Sequence, residues 1–193
     1  MKNGELRALH EGLAVWGAPA DFQSAVTALC RRTTPRAFFN NPRQQFLRDA
    51  WTLAKFALRH KAVDQVKLAG PDDDWPDGYV CVAGATKNVE VTIADMPGRK
   101  MGAEYKIDTD TGFEPDPVED WEARADAIPE ALERAIAGKI AKHYSSPAWL
   151  VVYLNLGVYG IRQQQIELVI AQTKLRHACS FEDLFVLWNG KLY

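Results

Sequence analysis

Two carboxylates offer the plainest chemistry in this sequence. Asp77 stands in Trp75-Pro76-Asp77-Gly78-Tyr79, and Glu90 in Val89-Glu90-Val91-Thr92-Ile93. The two short apolar runs flank a turn that carries Gly84. Val89, Val91 and Ile93 alternate with Glu90 and Thr92, so a strand here would turn the aliphatics to one side and Glu90 and Thr92 to the other. A carboxylate among β-branched residues is unfavourable unless something pairs with it. A divalent cation held by both acids would be such a partner. Register decides whether they meet. They fall opposite each other only if the turn centres near Ala83-Gly84; a longer loop through Asn88 would separate them. Each acid also has a plainer reading, Asp77 as a turn residue that caps local amides and Glu90 as the exposed face of a hairpin.

Elements must position this pair. Leu6, Leu9, Leu13 and Trp16 predict a helix over 5–17, ended by Gly17-Ala18-Pro19. Asp21 can cap a second helix, which Thr33-Thr34-Pro35 stops. Asn41-Pro42 reads as a cap with a first-turn proline, opening a helix to about Lys61 that buries Phe46, Ala50, Leu53, Ala54, Ala57 and Leu58. Strands follow over Val66–Leu68, Tyr79–Val82 and Val89–Ala94. The acidic stretch Asp108–Asp120 reads as a loop, and Trp121–Ala127 as a short helix. Pro129 starts a helix to about His143 with the stripe Leu132, Ile136 and Ile140. Trp149–Leu156 has the continuous apolar character of a strand buried on both faces. A helix over Ile161–Arg176, a strand over Leu184–Trp188 and a tight turn at Asn189-Gly190 complete the chain. The expected architecture is α/β, a mixed sheet flanked by helices, with a helical extension over 1–41 and a core over 42–193.

Pro76-Asp77, twelve residues, then Glu90-Val91-Thr92 resembles the signature of the PD-(D/E)XK nuclease superfamily, the restriction-endonuclease-like fold. The resemblance covers roughly 42–193 and rests on a few residues; the chain has three Pro-Asp pairs, at 71-72, 76-77 and 115-116. It implies an αβββαβαβ core. It also implies magnesium or manganese held by Asp77, Glu90 and the main-chain carbonyl of Val91, for hydrolysis of phosphodiesters in nucleic acid, DNA rather than RNA. Thr92 stands where the family has lysine, and a threonine brings no positive charge. Some members carry that lysine on a neighbouring helix. Lys139 is the candidate here, with Lys142 and Lys100 as others. Arg99 and Lys100 on the Pro-Gly turn, Lys142, and Gln164 in the polar first turn of its helix are candidate substrate contacts. A catalytically silent module that binds nucleic acid or a protein remains the alternative. So does an assembly protein, such as a homodimer, whose surface is marked by Trp149, Trp188, Tyr153 and Tyr159.

Composition sets bounds. With 193 residues, 47% hydrophobic and 25% charged, the chain is suited to one core. No apolar run is long enough to span a bilayer, and Met1–Glu5 lacks a signal peptide's apolar core. Cys30, Cys81 and Cys179 are odd in number and far apart, as expected of reduced thiols in a cytoplasmic protein. Net charge is −2, yet Arg31–Lys61 holds eight Lys and Arg against one acid, Asp49. A basic segment beside an acidic centre suits an enzyme acting on a polyanion, although charges that merely solvate helix faces would look the same. A Gly-x-Ser-x-Gly elbow and a Walker loop are both absent.

Overall fold

The computed structural model describes residues 3–98, 121–144, 146–158, 160 and 162–193. These fall into two units, one up to Val91 and the other from Thr92 onward. The chain is mixed α/β with a six-stranded mixed sheet whose strands pair in sequence order.

The first unit opens with α1 (Asn3–Leu13), α2 (Pro19–Arg31) and α3 (Pro35–Asn40). A 3-10 turn over Pro42–Gln44 leads into α4 (Gln45–Arg59). Asp21 does not cap α2; the helix starts two residues earlier, because Pro19 pre-sets the first-turn φ, and Asp21 sits in the first turn instead. The Thr33-Thr34-Pro35 stop is also a start. The Thr34 side chain accepts from the Ala37 amide at 3.2 Å and caps α3, a helix the sequence reading did not contain. Asn41 caps the 3-10 turn as expected, accepting from the Arg43 amide at 3.0 Å. In α4, Leu47, Ala50, Leu53, Ala54, Phe56 and Ala57 are buried, while Leu58, expected inside, is exposed. It follows Ala57 by one residue, or 100° around the helix, and turns away from the sheet.

Three antiparallel strands follow, β1 (Val63–Leu68), β2 (Gly78–Val82) and β3 (Ala85–Ala94). The edge of β1 is covered where Gly17 and Val66 exchange backbone hydrogen bonds. Ala83 and Gly84 make the two-residue turn between β2 and β3, at φ 49° and 79°. Gly84 adopts that conformation freely, whereas Ala83 does so at a cost. The Asp64 carboxylate compensates in part by accepting from the Ala83 amide at 2.9 Å. Ala83→Gly is therefore expected to raise unfolding stability in urea by about 0.5–1 kcal/mol, keeping the register.

The second unit contains the end of β3, α5 (Trp121–Ile140), β4 (Trp149–Leu154), α6 (Gln163–Arg176), β5 (Asp183–Trp188) and β6 (Lys191–Leu192). The end of β3 runs beside β4, with the Asn155 amide donating to the Ala94 carbonyl at 2.9 Å. Strands β4 and β5 are parallel, as the intervening α6 requires, and Asn189-Gly190 turns β5 back into β6. Pro129 does not start a helix; it lies inside a continuous α5. It withholds an amide from the Ala125 carbonyl. Burial of Ala125 and Ile128 in the core with Leu132 and Ile136 outweighs that loss. Ile140, expected in the stripe, is exposed, and Lys139 takes the inward position at 8% exposure.

Glu133 of α5 meets the end of α6, bonding the Arg176 guanidinium and, at 2.7 Å, the His177 ring. Burial pushes its carboxyl up, but the His177 and Arg176 bonds together outweigh that and hold it below the usual glutamate range. A depressed carboxyl contributes stability that is present above its unfolded pKa and lost as pH falls through the folded one. Glu133→Gln should thus lose about 1 kcal/mol or less at neutral pH, given its partial exposure. The two proteins should converge in acid; thermal unfolding across the acid limb checks this.

Candidate functional site

The site begins with the two-residue turn at Ala83-Gly84. It pairs Val82 with Ala85 and carries the ladder without slip to Gly78 opposite Val89. Asp77 and Glu90 are the next residues beyond that last pair. The side chain of Asp77 leans onto β3, where its Oδ2 accepts from the Val91 amide at 2.8 Å. Its main-chain carbonyl accepts from the Ala69 amide at 3.2 Å, which holds the strand mouth from the other side. Asp77 is therefore bonded to β3 at Val91, the residue after Glu90, and the two-residue turn answers the question of register that the sequence left open.

Gly78 makes this corner possible. A Cβ there would lie 2.5 Å from Leu53 Cδ2 of α4 and 2.8 Å from the Lys67 carbonyl of β1. Only a residue without a side chain lets the start of β2 pass between helix and neighbouring strand.

Glu90 differs from its expected setting. The strand alternates as anticipated, but the Glu90 face is covered: Glu90 is 2% exposed and Ala94 1%, whereas Ile93 on the aliphatic face is 36% exposed. Val89 and Val91 are buried too, so β3 is enclosed on both faces around Glu90. A carboxylate this deep requires charge or hydrogen-bond compensation. The donor set of Asp77, Glu90 and the Val91 carbonyl is entirely hard oxygen, which fits magnesium or manganese and not a thiophilic metal. Among the described residues no group of three or more His, Cys, Asp or Glu could hold a metal ion, so any such site rests on two side chains and the main chain.

The other expected residues lie on other elements or outside the described residues. Lys139 belongs to the second unit, is buried, and lines a groove of about 660 Å³ with His143, Tyr144, Cys179 and Glu182. Lys142 follows α5 and is exposed; Gln164 is exposed in the first turn of α6. Arg99, Lys100 and the acidic loop over 108–120 lie outside the described residues. Of the aromatics read as a possible dimer surface, Trp149 and Trp188 are core residues, Trp188 donating to the Leu156 carbonyl at 3.0 Å. Tyr159 is outside the described residues.

Two buried polar atoms, one on the 3-10 turn and one on α4, gave no signal in the sequence. Gln44 Oε1 and Thr52 Oγ1 lie inside the fold without a hydrogen-bond partner among the described residues. An amide or hydroxyl in a helix gives no sign, by type alone, that it faces inward.

No protein-family model, curated protein or solved structure matches the chain. Among the described residues no helix is long and apolar enough to cross a membrane.

Proposed function

We propose that the protein is a metal-dependent nuclease that hydrolyses phosphodiester bonds, with its cation site at Asp77, Glu90 and the Val91 carbonyl. The carrying observation is the register: an unslipped hairpin with Asp77 bonded to the Val91 amide and Glu90 next to it in a buried strand. The element order α4-β1-β2-β3-α5-β4-α6-β5 also follows the αβββαβαβ core that the resemblance implies. A bound magnesium ion would neutralise phosphate charge and lower the pKa of an attacking water. The chain's own part is positional. Asp77 is oriented by the Val91 amide, which donates to its Oδ2. Glu90 presents a carboxylate in a water-poor strand, where its interaction with a cation is strengthened.

The test is cleavage of labelled DNA in magnesium against chelator. Retained cleavage in chelator, or none in any divalent metal, would count against the proposal.

A second reading has its own observation. The bond from the Val91 amide to Asp77 would equally serve a strand mouth whose acid is structural, and Thr92 supplies no ammonium. This silent module would bind nucleic acid or a protein equally well with and without magnesium.

A further inference from the structure

We propose that the corner formed by the end of α2, α3 and the 3-10 turn binds single-stranded nucleic acid. This names the form of the substrate and rests on the nuclease reading for its chemistry, but binding can be measured without cleavage. From Phe22 to Arg48 the chain has no Asp or Glu and five arginines, at 31, 32, 36, 43 and 48. Three of the five, Arg32, Arg43 and Arg48, are engaged within the fold. Arg32 pairs with Glu5 at 2.8 Å, and Arg48 donates to the Phe39 carbonyl at 2.7 Å. Arg31 in the last turn of α2 and Arg36 in the first turn of α3 are exposed and make no ion pair among the described residues. Exposed guanidinium groups with no acid nearby in the chain attract phosphate, and the attraction depends on salt.

Aromatics decide between strand forms. Phe38 and Phe39 are partly exposed and packed edge to face, with ring centroids 5.0 Å apart and an interplanar angle of 84°. Half-exposed rings beside arginines give unpaired bases a surface to stack on. Duplex has no free base faces to offer. Nor does the corner present a helix suited to a major groove: α3 has six residues, about 9 Å of helix. Exposed Asn40 and Gln45 add amides that can reach base edges or phosphates.

Fluorescence anisotropy in chelator tests this, using a labelled oligothymidylate of about 20 nucleotides and the matching duplex, over roughly 50–200 mM salt. The single strand should bind more tightly than duplex. Arg31→Ala with Arg36→Ala should lower the log–log salt slope by about 1.4, two lost contacts at about 0.7 each. Phe38→Ala should weaken binding at least about fivefold at every salt concentration, and Phe38→Trp should restore it, separating stacking from misfolding. An unchanged slope in the double-arginine variant, tighter binding of duplex, or arginine-dependent binding to phosphatidylserine vesicles in place of the oligonucleotide would overturn the proposal. Single-strand binding without metal-dependent cleavage would sink the nuclease reading and leave this one standing; cleavage with arginine-independent binding would do the reverse.

Discussion

Glu90→Gln is expected to reduce magnesium-dependent cleavage roughly a thousandfold, since a bound metal contributes several kcal/mol to such a transition state and each 1.36 kcal/mol is tenfold. Its stability should move in a way that separates a cation ligand from a structural acid. Glu90 is 2% exposed, so a bound cation would add to whatever holds its carboxylate inside the strand. Magnesium at 100 times its dissociation constant should then stabilise wild type by about 2.7 kcal/mol and the variant not at all. Thermal unfolding with and without the metal reads this difference.

Gly78→Ala is expected to destabilise the fold by about 2–3 kcal/mol, the cost of overpacking a closed site. The Leu53 methyl at 2.5 Å can rotate aside, but the Lys67 carbonyl at 2.8 Å is backbone of the strand paired to β2. Relief comes only by shifting the start of β2, and with it Asp77. Metal affinity should therefore fall along with stability. Gly138→Ala provides the control, because nothing lies within 4 Å of its added methyl and the residue sits inside α5. That change should be neutral or stabilising by up to about 1 kcal/mol. Equal denaturation midpoints for Gly78→Ala and wild type would show that the corner is not closed by this glycine.

The parts of the fold set by local chemistry were readable in advance. Asn41-Pro42 capped its helix, Asn189-Gly190 turned its hairpin, and the apolar run from Trp149 became a buried parallel strand. Where tertiary packing overrode a local signal, the reading failed. Pro129 is a strong breaker, yet the burial of Ala125 and Ile128 carries α5 through it. The alternation in β3 was recognised, but no local pattern says which face is covered, and Glu90 proved to be on an enclosed one. The hairpin register was legible only as a condition on the turn. Ala83 is a poor residue for a left-handed position, so its own preference argued against the tight turn that the Asp64 bond supports. The stripe of Leu132, Ile136 and Ile140 was legible except at its end, where Ile140 is exposed and Lys139 is buried instead.

The account's central claim is that Asp77 and Glu90 share a divalent cation. The most direct measurement is a calorimetric titration of manganese into metal-free wild type, Asp77→Ala and Glu90→Gln. The account predicts saturable binding to wild type that is lost in both variants. Equal binding to all three proteins, or binding to none, would contradict it.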